Sequence, residues 1–337
     1  MNEADTDLAA TSGEQSPEPE VGAPAETPAA DAGEPAPEAL TAVPPVTPIP
    51  PRKRPFDALR ALDAPVRASD EDRWLASRFA PKRARGRLVG LYALNSEIAA
   101  IPAKVREPRL GDIRLQWWRD ALEGVFDRGE TAGHPVLEAI AEAITARALP
   151  REAFDALLAA RVCDLASAPF ETWTDLESYL DATAGCVMRL AAQICVEPAH
   201  FTPAFDQALH HAARAWGYMG LLRAAPAWAA QGRTFYPGTL RENLGLGVTL
   251  TGAEVEISAV SFAAHAVLDR AIGAQNQIAR FRHAIPKEAF PAIGYATLTP
   301  LYVRAFEQTE LGRQQMAPPS LLRRQWRLVT AGALGAL

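Results

Sequence analysis

Residues 88–101, LVGLYALNSEIAAI, decide the fold class of this chain. Apolar and aromatic side chains recur there at steps of three and four, which is the spacing of one face of an α-helix. That face consists of Leu88, Leu91, Tyr92, Asn95, Ile98 and Ala99. Residues 113–126 repeat the pattern, with Leu115, Trp118, Leu122 and Val125. Both segments are therefore predicted to be amphipathic helices.

The same helical pattern continues through most of the chain from about residue 56. Further helices are predicted over residues 136–147, 151–167, 173–196, 203–225, 252–284, 288–310 and 320–336. Thr251 and Glu254 have the spacing of a capping box, which predicts a helix start. Runs of the β-branched and aromatic residues that strands favour are few. We expect an all-α body that forms one domain over residues 56–337.

Residues 1–55 differ from the rest of the chain in composition. The first 51 residues hold 11 of the 28 prolines and ten acidic residues, with no lysine or arginine. Such a segment buries too little apolar surface to offset the entropy lost on ordering. We predict a disordered, solvated acidic tail, and contact of this tail with the basic body or with a partner is the alternative.

The charge balance limits the classes of partner. The whole chain carries a net charge of −6, but outside residues 1–51 there are 34 basic and 30 acidic residues, a net charge of +4. This excess is too small for a nucleic-acid groove, although it permits transient contact with an acidic partner or an anionic membrane surface. We expect no nucleic-acid binding.

Cysteine usage and the N-terminus bear on location. Cys163, Cys186 and Cys195 form no C-x-x-C pair, which argues against a zinc ribbon and a disulfide framework. No run of about 18 uninterrupted apolar residues occurs, and the N-terminus opens with acidic residues instead of the basic start of a signal peptide. We expect a cytoplasmic protein in reducing surroundings, or one that is peripheral at the inner membrane surface.

Three motifs resemble those of the squalene and phytoene synthase family. RLVGLYALN at residues 87–95 is similar to the helix that leads into the family's first aspartate-rich motif. Tyr179 with Ala184, Gly185 and Val187 is similar to its Y-x-x-x-x-A-G-x-V helix. GRTFYP at residues 232–237 resembles the G-R-x-Y-L-P segment that follows the second aspartate-rich motif. The resemblance implies an isoprenoid synthase-type helical bundle with a central cavity.

The family's metal-binding aspartates have no counterpart here. In the family, aspartates four residues apart on each of two helices hold Mg²⁺ against the substrate diphosphates. That spacing places both carboxylates on one helical face, and the Mg²⁺ neutralises charge on the departing diphosphate. Carried over from the flanking motifs, these positions fall on Ala99, Ala100, Ala103, Ala224 and Trp228. None of these side chains has an oxygen ligand.

The helix of the second motif departs further from the family pattern. The family's Gln and Asn fall on Gly217 and Gly220, and Pro226 lies between Ala224 and Trp228, where it is expected to bend the helix. Arg223 is retained. Together with Arg233 and Tyr236 of the later motif, it is predicted to contact a ligand or a partner.

Other acidic residues do not replace the lost aspartates. Glu97 lies about 200° round the helix from Ala99, hence on the opposite face. Asp120 and Glu123 share a helical face, but in a segment whose charged residues are expected to meet solvent. We therefore predict no catalytic residue, no metal site and no cofactor. Mg²⁺ is implied only if the chain is an active prenyl synthase.

Residues 105–120, VREPRLGDIRLQWWRD, resemble one branch of the family in particular. This branch includes the mitochondrial complex I assembly factor, and its members keep the helical body while losing the aspartates. Residues 72–81, DRWLASRFAP, are similar to the opening helix of that branch.

Side chains of this segment are the other candidates for contact with a ligand or partner. Trp118 is predicted to be core, because helical spacing already explains it. Trp117 is about 100° away from it, and is predicted to face a cavity or partner, as are Arg114 and Arg119. The alternative for the two arginines is pairing with Asp112 and Glu123 on a solvated face.

Two further features of the sequence are the C-terminal segment and the histidines. Residues 321–329, LLRRQWRLV, are basic and amphipathic. They are predicted either to rest on an anionic membrane surface or to dock on the domain with their arginines in water. The six histidines form no metal-binding pattern with acidic residues.

The leading hypothesis is a non-catalytic member of the family. The branch resemblance implies an assembly or scaffold factor for respiratory complex I, with assembly intermediates of that complex as partners. One alternative is a prenyltransferase that joins two isoprenoid diphosphates through unrecognised metal ligands. Another is a non-catalytic protein that holds an isoprenoid or lipid ligand in the cavity.

Overall fold

The computed structural model describes residues 57–250, 257–309 and 316–334. Within these ranges every regular element is helical, so the predicted all-α class is confirmed. The α-helices are α1 (Ala58–Ser69), α2 (Glu71–Ser77), α3 (Lys82–Ala99), α4 (Ile101–Lys104), α5 (Pro108–Arg128), α6 (Pro135–Arg147), α7 (Arg151–Arg161), α8 (Trp173–Leu180), α9 (Cys186–Cys195), α10 (Pro203–Ala230), α11 (Gly238–Asn243), α12 (Ile257–Phe281), α13 (Phe290–Ile293), α14 (Thr299–Glu307) and α15 (Leu321–Leu334). The predicted tail over residues 1–55 and the predicted capping pair Thr251 and Glu254 lie outside the described residues.

Two of the predicted helices differ in form from the expectation. Residues 173–196 form a continuous run, but a π-helical turn, Asp181–Gly185, joins α8 to α9. Of the predicted helix over residues 288–310, the part up to residue 307 is divided among α13, α14 and short 3₁₀ turns. Pro291 and Pro300 are the second residues of the two α-helices. Proline is tolerated there, because an N–H group in the first turn would have no acceptor within the helix.

The helix over residues 203–225 is longer than predicted. Thr202 caps α10 by accepting a hydrogen bond from the amide of Phe205 at 3.1 Å, and the helix continues beyond Pro226 to Ala230. A proline inside a helix removes one donor and clashes with the preceding turn, at a cost of about 3 kcal/mol. Packing of this long helix against α12 and α8 offsets that cost. Proline is therefore not the end of the helix here.

The core lies on the faces that the sequence predicts. Along α3 the buried side chains include Leu88, Leu91, Tyr92 and Ile98, and along α5 they are Leu115, Trp118, Leu122 and Val125. The α3 helix packs against α1, α6 and α9, while α10 packs against α12 and the π-helical turn. These two helices therefore carry a large share of the contacts that hold the bundle together.

A glycine brings α3 and α6 into close contact. A Cβ atom added at Gly90 would lie 2.7 Å from the Cβ of Ala139 and 3.4 Å from its carbonyl carbon. Gly220 of α10 is different, since a Cβ there would meet no atom within 4 Å. Of these two glycines, therefore, Gly90 is required by the packing of neighbouring helices and Gly220 is not.

By length and composition, one stretch of the described residues could cross a membrane: Ile257–Ala284, which comprises α12 and the 3₁₀ turn after it. A third of its most apolar window is buried in the body. Arg270 in the middle of this helix donates to Glu177 at 2.8 Å and lies 3.8 Å above the ring of Trp173. These contacts tie α12 to α8.

The C-terminal helix docks on the domain, as one of the two alternatives predicted. Its arginines are not all in water, however, because Arg324 is only 6% exposed. The guanidinium of Arg324 donates to Asp72 at 2.8 Å and to Glu71 at 2.6 Å, both on α2. The buried carboxylate of Asp72 on α2 thus offsets the desolvation cost of burying the Arg324 guanidinium.

We predict opposite effects for two glycine substitutions. Gly90→Ala should lower the free energy of unfolding by about 1–3 kcal/mol, because α3 and α6 must move apart. Gly220→Ala should raise it by up to about 1 kcal/mol, because alanine is the better helix former and meets open space. Urea denaturation followed by circular dichroism measures both. Stabilisation by Gly90→Ala would contradict the close packing of these helices.

Candidate functional site

A cavity of about 500 Å³ lies among α3, α4, α10 and the π-helical turn. All five positions to which the family aspartates map line this cavity. They are Ala99, Ala100, Ala103, Ala224 and Trp228. The first three come from the end of α3 and from α4, and the other two come from α10, one turn apart. The cavity therefore corresponds to the central cavity that the resemblance implies, with apolar side chains at the metal-binding positions.

Trp228 packs against a cation. The guanidinium carbon of Arg233 lies 4.2 Å from the centre of the Trp228 ring, which is within cation–π distance. The Nε of Arg233 is buried without a hydrogen-bond partner, and burial lowers the pKa of this guanidinium. Arg233 also lines a second cavity of about 420 Å³, which shares Pro102, Ala103 and Gln231 with the first. This arginine thus lies where the two cavities meet.

Arg161 at the end of α7 is the centre of a hydrogen-bond network in the cavity wall. It donates to Asp164 at 3.0 Å, to the hydroxyl of Tyr179 at 3.1 Å and to the side-chain oxygen of Asn95 at 3.1 Å. The Tyr179 hydroxyl in turn donates to Asp164 at 2.7 Å. Burial, followed by the charge of Asp164, raises the pKa of Tyr179 well above its ordinary value, so the hydroxyl remains protonated.

Arg73 of α2 supplies a second buried cation. It donates to Asp70 at 2.5 Å, and its guanidinium lies over the rings of Tyr295 at 5.0 Å and Tyr92 at 5.9 Å. Burial by itself lowers the pKa of Arg73, but Asp70 and Tyr295 together outweigh this effect, and the pKa is raised overall. Asp70 also caps α2 by accepting a hydrogen bond from the amide of Arg73.

Arg223 links the cavity to the C-terminal helix. It stacks over the rings of Tyr302 at 4.7 Å and Trp216 at 5.2 Å, and lies 3.5 Å from a carboxylate oxygen of Asp72. That same oxygen accepts a hydrogen bond from the Tyr302 hydroxyl at 2.6 Å. The other oxygen of Asp72 accepts from Arg324, so one carboxylate joins α10, α14 and α15.

The charges that line the cavity do not suit Mg²⁺. Four arginines meet two aspartates there, and each aspartate is already paired with an arginine. Magnesium prefers several oxygen ligands in near-octahedral geometry. Among the described residues no group of three or more His, Cys, Asp or Glu side chains could hold a metal ion. The cavity is instead suited to an anion.

The structure separates the candidate contact residues into two groups. Arg223 and Arg233 line the cavity, whereas Arg114, Trp117 and Arg119 are not among its lining residues. Trp117 is 48% exposed on the outer side of α5, and Trp118 beside it is buried, as predicted.

The pairing proposed for the two α5 arginines is not observed, and Tyr236 does not reach the site. Arg119 donates to Gln116 at 3.1 Å instead of pairing with Glu123, and Arg114 is exposed. Tyr236 is buried against Phe235, with ring centres 4.6 Å apart, and lines neither cavity.

Several residues of the site were not identified from the sequence. Asp70, Arg73, Arg161 and Asp164 all line the cavity. Asp70 reads locally as a helix cap and Asp164 belongs to a 3₁₀ turn, so neither falls within a recognisable motif. Tyr179 and Asn95, both from family-like helices, pointed to this part of the wall.

Comparison with known proteins identifies the family. The sequence profile described as "Squalene/phytoene synthase" matches residues 66–323. The chain belongs to this family. The fold agrees, because a dehydrosqualene synthase crystallised with a ligand superposes with a TM-score of 0.69 at 16% identity, covering 83% of this chain and 99% of that one. Squalene synthase HpnC from Alicyclobacillus acidocaldarius gives a TM-score of 0.57 at 20% identity, covering 83% and 94%.

Several curated proteins that share one name are similar to this chain over most of its length. The Bos taurus protein named NADH dehydrogenase (ubiquinone) complex I, assembly factor 6, is 23% identical over 278 residues, which covers 78% of this chain and 80% of the relative. The Mus musculus protein of the same name is 22% identical over 271 residues, with the same coverage. The branch resemblance of residues 105–120 is thereby confirmed.

We predict that the Arg161 network is required for stability. Asp164→Ala should lower the free energy of unfolding by about 3–5 kcal/mol, because it leaves the Arg161 charge buried without its partner. Asp155→Ala, an exposed position on the same α7 helix, should change it by less than about 0.5 kcal/mol. Chemical denaturation of both variants measures the difference. Similar stabilities would mean that water already compensates this arginine.

Proposed function

We propose that this protein is a non-catalytic member of the squalene/phytoene synthase family and acts as an assembly factor for respiratory complex I. Its partners in this role are assembly intermediates of that complex. The named relatives support the proposal, since the similarity extends over about four fifths of their length. The proposed location is cytoplasmic, peripheral at the inner membrane surface where such intermediates would be met.

The observation that carries the proposal is the composition of the cavity wall. Head-to-head prenyl transfer in this family requires carboxylates that hold Mg²⁺ on two helices. At the corresponding positions this chain has alanine and tryptophan, and Trp228 binds the Arg233 cation through its ring. A carboxylate there would attract a metal ion, whereas an aromatic ring beside a guanidinium repels one. The substitution at this position therefore replaces a metal ligand with a group that is already bound to a cation of the protein.

A surface outside the cavity is suited to a partner. Leu110, Ile113 and Trp117 of α5 are 47%, 59% and 48% exposed and follow one another at steps of three and four. We call them the α5 stripe. The inner face of the helix is already buried, so the stripe is not used by the domain itself. Apolar side chains in this arrangement are typical of a protein interaction site.

We predict that assembly of complex I depends on the α5 stripe. Deletion of the gene should reduce complex I in membranes, measured by native gel and by NADH oxidation, and the wild-type gene should restore it. Ile113→Glu should fail to restore it, because a charge at an exposed contact opposes docking without unfolding the helix. Phe262→Glu is the matched control, since Phe262 is an apolar residue on α12 that is at least as exposed as Ile113.

The possible outcomes test the role in complex I assembly and the involvement of the α5 stripe separately. Unchanged complex I after deletion would remove the assembly role. Full restoration by Ile113→Glu would remove the α5 stripe from the mechanism and leave the role standing.

A second candidate function is metal-independent binding of an isoprenoid or lipid anion in the cavity. Arg233 favours it, because this half-buried cation stacks on Trp228 and has an Nε without a hydrogen-bond partner. An anionic head group would supply that partner. The alanines from α3, α4 and α10 would meet the apolar part of the ligand.

We predict that farnesyl diphosphate binds without a metal ion. Calorimetry in EDTA should give the same affinity as in Mg²⁺, with no product formed under either condition. Arg233→Gln should weaken binding about tenfold or more, through loss of a charge-assisted hydrogen bond. Arg128→Gln, at an exposed arginine paired with Glu130, should have no effect. Product that forms only with Mg²⁺ would instead establish the prenyltransferase alternative.

A further inference from the structure

The C-terminal helix α15 is apolar on two opposite faces. Its inner face is buried against the domain through Arg324, Leu328 and Ala331. Leu322, Trp326 and Val329 are 75%, 70% and 53% exposed. At 100° per residue these three lie within about 60° of one another and on the side opposite the buried face. We call them the outer face of α15.

The domain itself does not need this outer face. The helix is already fixed by the buried contacts of Arg324 with Asp72 and Glu71 on α2. Arg327 adds a hydrogen bond to the carbonyl oxygen of Thr297 at 3.2 Å. Removal of the outer side chains would leave all of these contacts intact. Three large apolar side chains in water, on a helix held rigidly, indicate a surface that meets something else.

The charges beside the outer face indicate what it meets. Every charged side chain between Leu321 and Leu334 is an arginine. Arg323 is exposed on one flank of the outer face, and no carboxylate of the helix offsets it. Trp and Leu on one face, with arginine beside them, are typical of helices that lie in a membrane interface next to anionic lipids.

Another exposed aromatic residue lies next to this helix. A Cβ atom added at Gly332 would lie 3.4 Å from a ring carbon of Phe79, which is 41% exposed. Phe79 follows α2 and packs edge-on against Phe290, with ring centres 5.0 Å apart. It enlarges the apolar surface on the other flank of α15. The patch is thus built from two separate parts of the chain.

We propose that the outer face of α15 is a binding site for the surface of an anionic lipid bilayer. Leu322, Trp326 and Val329 enter the region between head groups and acyl chains, while Arg323 contacts the lipid phosphates. The helix lies parallel to the bilayer and does not cross it, because its opposite face stays docked on the domain. This inference does not depend on the proposed role in complex I assembly.

Flotation of the full-length protein with lipid vesicles tests the proposal. The protein should bind vesicles of mixed phosphatidylglycerol and phosphatidylcholine, and bind vesicles of phosphatidylcholine alone much less. Trp326→Glu should weaken binding to the anionic vesicles about tenfold or more, because it removes buried apolar area and adds a repelled charge. Gln325→Glu is the matched control, since it adds the same charge at an exposed polar position of the same helix without removing apolar area. Its binding should fall less than that of Trp326→Glu.

Each other outcome contradicts the proposal. If Trp326→Glu and Gln325→Glu lost vesicle binding equally, the contact would be purely electrostatic, and insertion of the apolar side chains would be excluded. Equal binding to both kinds of vesicle would exclude recognition of anionic lipid. No binding by the wild type would exclude the bilayer as partner. A dimer in light scattering that Trp326→Glu dissociates, without vesicle binding, would assign the outer face to a second copy of the chain.

Two controls keep the result independent of folding and of the proposed function. Thermal unfolding followed by circular dichroism should be the same for both variants and the wild type, because positions 325 and 326 are exposed. The vesicle assay contains no complex I, so its failure would leave the assembly role untouched. Conversely, normal complex I in a deletion strain would not change the binding of the purified protein to vesicles.

Discussion

The structure depends on hydrogen bonds that buried arginines make to nearby carboxylates and to polar groups on other helices. An arginine cannot lose its charge in a protein, so one that enters the interior needs a partner there. Arg161 is paired with Asp164 and bonded to Asn95 of α3, and Arg324 is paired with Asp72 of α2. These links join helices that are distant in sequence. They also fix the shape of the cavity, because Arg73, Arg161 and Arg223 form part of its wall.

The same pairing explains why the cavity is cationic. Its two carboxylates are used to neutralise two of the four arginines, which leaves Arg223 and Arg233 to be stabilised in other ways. Arg223 shares Asp72 with Arg324 and lies over two aromatic rings. Arg233 has the ring of Trp228. The aromatic face of Trp228 in the cavity wall is already occupied by this guanidinium.

Much of the fold could be predicted from the sequence, because helical periodicity reports burial directly. The inner faces of α3 and α5 are buried as expected. The motif spacing also located the cavity, since all five degenerate positions line it. The division of residues 288–310 could not be predicted with the same rule, because apolar residues continue through the 3₁₀ turns. Arg161 and Asp164 could not be found either, since their meeting with Asn95 depends on how α7 crosses α3.

The non-catalytic role that we propose would change which parts of the molecule are constrained by function. In a prenyl synthase, the cavity must hold ligands, metal ions and two substrates in register, whereas here its polar groups are largely paired with one another. Large apolar side chains without a structural partner lie on the outside, where α5 and α15 each bury one face and leave apolar side chains on the other. Under the two proposals, one of these helices contacts a protein and the other contacts a lipid surface. A scaffold needs that property, and an enzyme with an enclosed active site does not.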